Sequence, residues 1–423
     1  MPENISKKPF KSLVRDLLKI HYIAFYTIIF VIIAYYVGQA VKDPIKYNTD
    51  FAFHLLLQKE SAQHSLWHDM VTVLGSAPIV TALLEISFIF SVHYLLHSTL
   101  PEKMSSITRL FILAASVLSS APFSPFTRTL YTSSVGLNVW HNPTSYAAKP
   151  FIILTFCLLM KIIDLAQKRE LVKPHFENPN SKRDGFYLCG LFLAISGFIM
   201  TYGKISSLQF FAPAVLILLV FLWLRSGFSI RFMWKCVFIG LMFIPAIVQL
   251  ILYLFVYFPV NDDTNGLLFI GLKNFLSRPA RAILRVGFWS IMLPVFMTVF
   301  RFKEVKKSKS FIFGWIAWVI SFLQAHMFVE TGERQVHGNT MWGNQYANVL
   351  LLILSVIELA KWIYEEPMLK NTFNNFKTTG FKGLICSRLW RRQLVGSALF
   401  FLYLVSGISF FLLCTLIKKH YYV

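Results

Sequence analysis

Arg278, Arg281 and Arg285 stand at i, i+3 and i+7, so any helix that contains them carries all three on one face. Guanidinium forks match phosphate oxygens bidentately, and such a face is suited to clamping a diphosphate. Anionic lipid head groups are the plainer ligand for the same charges. Asp262 and Asp263 open the same stretch. The segment 330–349 gathers Glu330, Glu333, Arg334, His337, Asn339, Trp342, Asn344 and Gln345. Gly332, Gly338 and Gly343 within it permit tight turns and close approach of a ligand. His337 is the acid–base candidate there, because an unperturbed imidazole titrates near neutrality. Glu333, Arg334, Asn339 and Trp342 are the groups beside it that can hydrogen-bond or stack on a sugar.

Two further stretches carry chemistry. The run Trp140-His141-Asn142-Pro143 offers a ring for stacking on a sugar and polar groups for its hydroxyls. A Trp at a bilayer interface also serves as a simple anchor. In the segment 41–76, Asp50 and His54 are i,i+4 neighbours, as are His64 and His68, with Asp69 adjacent. Asp50 is the second candidate base, and Phe51 to Leu57 reads as an amphipathic helix lying on the membrane. A solvated interfacial helix would show the same spacing. Two His at i,i+4 are a weak metal signal, so no metal site is assigned and no cofactor is expected, with a divalent ion left open.

The elements that must hold these groups are membrane helices. Of the 423 residues, 56% are hydrophobic and 14% charged, against roughly 25% charged in an average soluble domain. Mean hydropathy is +0.58. These values exclude a disordered chain, a coiled coil and an ordinary soluble enzyme. About eleven apolar runs approach the roughly 20 residues a spanning helix needs. They lie near 21–40, 77–99, 107–121, 149–166, 186–202, 210–225, 233–258, 286–302, 311–329, 347–364 and 394–417. The expected class is an all-α polytopic membrane protein, 1–423 forming one transmembrane domain with no soluble domain. The run 22–40 is full spanning length with no small-residue cleavage site after it, so it reads as a span.

The formal net charge of +21 sits in short runs between apolar stretches, which reads as topology and contact with anionic lipid, not nucleic acid. Lys7, Lys8, Lys11, Arg15 and Lys19 precede the first span. Comparable runs follow spans four (Lys168, Arg169, Lys173), eight (Lys303, Lys306, Lys307) and ten (Lys370, Lys377, Lys382, Arg388). The positive-inside rule then places the N-terminus in the cytoplasm; Lys418 and Lys419 and the outer Arg278, Arg281 and Arg285 run against that bias. Loops 41–76, 122–148, 203–209, 259–285 and 330–346 face outward, and they hold the candidate chemistry. Glu85, His93 and His97 share one span and Glu358 lies in another; ionisable groups inside a membrane default to functional hypotheses, and Glu85 reads equally as a path element or a cross-helix partner. Five Cys are too few and scattered for a disulfide or zinc framework. No G-x-x-x-x-G-K-[ST] run is present, so a self-contained ATP-driven pump is not expected.

A multi-span chain with a long acid-bearing first outer loop, outer arginines (Arg278, Arg281, Arg285) and an outer-loop histidine (His337) resembles the integral-membrane polymerases of bacterial O-antigen and capsule. The O-antigen ligases are related to these. The resemblance implies a polyprenyl-diphosphate-linked glycan as substrate, handled at the outer face of the bacterial cytoplasmic membrane. It also implies a chain-length regulator or flippase as partner. The arginines would serve the diphosphate and His337 the acceptor hydroxyl. A second resemblance is to multi-span polyprenyl-phosphate-sugar transferases, whose base is a first-loop acid, here Asp43 or Asp50. The adjacent acid pair often seen there is missing from Val41-Lys42-Asp43-Pro44. A lipid-linked-glycan transporter is the reading from another class; it would route through Glu85, Pro245 and Pro294, although no repeat is visible.

Overall fold

The computed structural model describes residues 9–43, 51, 54–56, 65–120, 143–167, 182–253, 267–269, 289–330, 339–366 and 388–412. The described chain runs α1 (Pro9–Leu17), α2 (Ile20–Lys42), α3 (Leu66–Leu74), α4 (Ala77–Thr99), α5 (Ser106–Leu118) and α6 (Pro143–Gln167). There follow α7 (Lys182–Gly203), α8 (Ser206–Arg225), α9 (Ile230–Leu241), α10 (Ile244–Leu252) and β1 (Leu267–Phe269). The last third holds α11 (Trp289–Phe300), α12 (Phe302–Val305), α13 (Lys309–Met327), β2 (Phe328–Glu330), α14 (Asn339–Glu365) and α15 (Arg388–Leu412).

Among the described residues nine helices are long and apolar enough to cross a membrane, α9 and α10 together counting as one. Two shorter apolar helices, α5 and α11, fall where two of the remaining spans were expected. The chain is therefore a multi-pass membrane protein. Helix is the form such segments must take, because hydrocarbon offers no partner to an unpaired backbone group. Serines start several helices: the Oγ atoms of Ser105, Ser229 and Ser308 accept from the amides of Thr108, Phe232 and Phe311 at 3.1–3.3 Å. Pro245, at the first turn of α10, sits at the break that divides the expected span 233–258. Gly75 ends α3 in the left-handed region (φ 67°), where a side chain would be strained.

α14 is the axis of the bundle, with 83% of its spanning window buried against 17% for α2. It packs on α13, α8 and α11, while α6 packs on α7 and α4, and α4 on α2. One continuous core runs through these contacts, from Phe88 and Phe156 to Phe211, Phe313 and Leu351. A second cluster around Trp67, Val80 and Tyr146 caps one end. That end carries Asp43 and the starts of α4, α6, α8 and α14. The opposite end carries Asp16, Arg109, Asp164 and Arg301.

The helical reading needs one addition. β1 and β2 pair antiparallel with Leu267 opposite Glu330, Leu268 opposite Val329 and Phe269 opposite Phe328. Three-residue strands leave no periodic signal in a sequence. The Phe269 and Phe328 rings meet at 5.3 Å. The pairing fastens the chain before the arginine run to the chain before His337.

Candidate functional site

At the Asp16 end, a charge network holds α1 against the bundle. Asp16 accepts from Lys19 at 2.6 Å and lies 3.1 Å from His97 Nε2 and 3.5 Å from Arg109 Nη1. Arg109 also donates to the carbonyls of Pro101 and Glu102 at 2.9 and 2.8 Å. Burial works to raise the Asp16 pKa. The hydrogen bond from Lys19 and the charges of Lys19, His97 and Arg109 outweigh it and hold the carboxyl below its ordinary range. One turn away along α4, His93 stacks on Tyr22 at 4.6 Å and shares a 3.1 Å hydrogen bond with Tyr26 Oη. On the same side Arg301 gathers Glu365 and Glu366 at 3.3 and 3.4 Å, and Lys361 donates to Glu358 at 3.0 Å. Each of these ties neighbouring helices or turns, so His97 and Glu358 act as structural partners.

Deeper, Glu85 on α4 is fully buried, and neither carboxylate oxygen has a hydrogen-bond partner among the described residues. The charge of Lys149 on α6 acts directly on it. Lys149 is 3% exposed, with its Nζ 4.5 Å over the Tyr146 ring and 5.7 Å over Phe88. That influence of Lys149 is the described link between Glu85 and a second helix. The next residues along, Ile86 and Pro150, line a groove of about 570 Å³ between α2, α4 and α6, together with Tyr26, Phe90 and Leu154.

The Asp43 end carries a second set of polar contacts among the described residues. His54 and His68 meet at 3.2 Å, and Ser65 Oγ lies 2.8 Å from the other nitrogen of His68. The sequence spacing paired His64 with His68 and Asp50 with His54; His64 and Asp50 lie outside the described residues, and the described contact is His54 with His68. Phe51 and His54 are buried, the former edge-on to Trp67 at 5.7 Å, so they face the protein where an amphipathic surface helix was expected. Trp67 Nε1 donates to Thr81 at 3.1 Å, and Tyr202 donates to Asp69. Tyr346 on α14 bonds Ser145 on α6 at 2.9 Å. Lower on α14, Asn348 accepts from Trp318 at 2.5 Å and Asn344 donates to Ser321 at 3.2 Å.

The sequence candidates distribute unevenly over this frame. Trp342 lies in the first turn of α14, 8% exposed, with Lys204 Nζ 5.3 Å from its ring. Asn339 begins the same helix. Asp50, Trp140, His141, Asn142, Arg278, Arg281, Arg285, Glu333, Arg334 and His337 lie outside the described residues. Among the described residues no three His, Cys, Asp or Glu side chains converge in a metal-binding group. Sequence reasoning passed over Lys149 and Lys204; a lysine at the apolar start of a span was the available signal for the first. Comparison of the chain with protein-family models, with curated proteins and with solved structures finds no match.

Proposed function

We propose that the chain is an integral-membrane glycosyltransferase that polymerises polyprenyl-diphosphate-linked oligosaccharide repeats at the outer face of the bacterial cytoplasmic membrane. The observation that carries this reading is the β1–β2 pair. It joins the segment leading to Arg278, Arg281 and Arg285 to the segment leading to His337, beside the helices that hold Trp342 and the polar groups of the Asp43 end. A diphosphate clamp and an acid–base group must stand close together for this reaction.

In the proposed step an acceptor sugar hydroxyl attacks the anomeric carbon of the donor glycan. The bond from that carbon to the lipid diphosphate breaks, and the diphosphate leaves with the electron pair. The arginine face offsets the charge that develops on the leaving group. His337, or Asp50 in the rival arrangement, takes the proton of the acceptor hydroxyl. Trp140, His141, Asn142, Glu333, Arg334, Asn339 and Trp342 seat the sugars. The protein works with membrane lipid around it and with a flippase or chain-length regulator as partner.

Two expected results test the assignment. Reporters fused near Lys173 and Lys306 should read cytoplasmic and those near Asn265 and Gly338 external, given the Lys and Arg asymmetry. An external signal at Lys306 overturns the site. Arg281→Ala should lower polymer formation about 10²–10³-fold, the usual cost of losing one donor to developing charge. Lys at that position should rescue only partly, since it lacks the planar fork. Polymer at wild-type length from a triple Ala variant of Arg278, Arg281 and Arg285 removes the clamp.

A transporter of lipid-linked glycan is the second reading. The observation that favours it is the buried Glu85–Lys149 pair directly behind the wall of the α2–α4–α6 groove.

A further inference from the structure

The junction of α1 and α2 marks where the bilayer begins on its side of the bundle. Leu13 and Asp16 turn into the protein, whereas Leu18 and Ile20 are 75% and 82% exposed. Two large aliphatic side chains standing clear of the protein at the foot of a spanning helix are stable only against hydrocarbon. Arg15 and Lys19, in the same stretch, therefore stand at the level of the lipid head groups. The groove between α2, α4 and α6 starts at this level. Leu17 lines its near end, and Tyr26, Ile86 and Phe90 line its walls. At about 1.5 Å per helical residue, Tyr26 lies about 9 Å beyond Ile20, and Ile86 about 20 Å from the Thr99 end of α4. An acyl chain reaching the midplane of a roughly 30 Å hydrocarbon core covers that range of depth.

The groove opens sideways, since Ser87 and Phe90 are exposed, so its contents come from the bilayer. Its walls do not call for a polar ligand. Ser87 and Ser91 donate to the Leu83 and Ser87 carbonyls of their own helix at 2.8 Å, and Tyr26 Oη is engaged by His93. A recess of about 570 Å³ at this depth is filled by hydrocarbon, because water finds too few partners there and empty space forfeits dispersion contacts. The charges at the near end select the head group. Arg15 is exposed, and the Lys19 side chain is 39% exposed while its ammonium holds Asp16 at 2.6 Å. Asp16 itself is buried and shared with His97 and Arg109. Glu102, in the loop after α4, has Lys103 next to it. The accessible charge around Leu17 is therefore positive.

We infer that the α2–α4–α6 groove is a binding site for an anionic glycerophospholipid of the bilayer. One acyl chain lies in the groove along α4, and Arg15 and Lys19 hold the phosphate at its near end. The site is separate from the glycosyl-transfer chemistry and does not depend on it. It gives α1 a second tie to the bundle, through lipid, beside the Asp16 network.

The test is native mass spectrometry of the full chain, with dioleoyl phosphatidylglycerol and dioleoyl phosphatidylcholine as probes carrying the same chains. Wild type should hold phosphatidylglycerol more tightly. Arg15→Gln should weaken it about fivefold, the worth of one basic side chain at an anionic head group, and leave phosphatidylcholine unchanged. Arg15→Lys should stay within about twofold of wild type, since the charge is kept. Ser87→Trp puts a large ring at the open side of the groove and should cost one bound lipid of either kind. Val299→Trp, on an exposed face of α11 outside the groove, should cost none. Lys307→Gln, a cation of another loop, should leave the preference as it is. Equal affinity of the two lipids in wild type, or an undiminished lipid count in Ser87→Trp, overturns the inference. So does the same loss from Lys307→Gln as from Arg15→Gln, which would reduce the preference to diffuse attraction. Displacement of the bound phosphatidylglycerol by equimolar farnesyl phosphate would put a prenyl lipid in the groove and overturns it too.

Discussion

Glu85→Gln is expected to lower the unfolding free energy of the protein in mild detergent by up to about 3–5 kcal/mol, the cost of leaving the buried charge of Lys149 without its compensating carboxylate. The carboxylate is fully enclosed, and the charge of Lys149 on α6 acts on it. The lysine cannot retreat to water, because it too is enclosed and rests over Tyr146 and Phe88. An amide in place of the carboxylate keeps the shape and removes the charge. Lys149→Met should cost a similar amount by stranding the acid. The double variant Glu85→Leu, Lys149→Met should recover most of the loss, because apolar packing of like volume often replaces a buried pair at little cost. The measurement is a double-mutant cycle on denaturant midpoints, with Glu85→Leu alone as its second single variant. Additive losses, with no coupling between the two positions, would mean that the two charges do not support one another.

This pair also illustrates what hydropathy conveys and what it leaves out. The spans were readable because lipid demands long apolar helices: Ala77–Thr99 coincides with the expected 77–99, and Ser106–Leu118 stops short of Pro122 as a short third span should. The azimuth of each helix was not readable. α4 is apolar almost all round, so nothing along its length tells that Glu85 faces α6 or that His97 faces Asp16. These interactions, a contact for His97 and a charge effect for Glu85, join residues 81 and 64 positions apart, through packing that no local pattern encodes. The histidines show the same limit. An i,i+4 spacing pointed to His64 with His68 and gave no sign that His54, fourteen positions before His68, lies beside it. The strand pair was invisible for another reason, since three residues are too few for an alternation to register. Of the candidate site, Asn339 and Trp342 fall in the first turn of α14, and the rest lies outside the described residues. The placement of Lys204 over Trp342 was not legible, because Gly203 and Gly343 act through what they leave out.

His337→Ala is expected to reduce polymer formation about 10²–10⁴-fold, the contribution typical of a general acid–base group. The leaving diphosphate is a good one, so the demand on the protein is removal of the acceptor proton while the phosphate charge is held. An imidazole suits that demand at neutral pH because both of its states are populated there. The chain enters this segment from β2, fixed against β1, and leaves it into the buried first turns of α14. The segment is therefore anchored at both ends, and Gly332 and Gly338 allow it to turn sharply between them. His337→Gln should retain donor binding without turnover, which farnesyl diphosphate affinity and polymer length report separately. Asp50→Asn is the decisive companion. An inactive Asp50→Asn beside a near-normal His337→Ala moves the base to the first outer loop and favours the transferase with a first-loop acid. If both variants make normal polymer while a stably inserted Glu85→Gln makes none, the chemistry leaves the outer loops altogether. The buried pair beside the α2–α4–α6 groove then becomes the working part of a transporter.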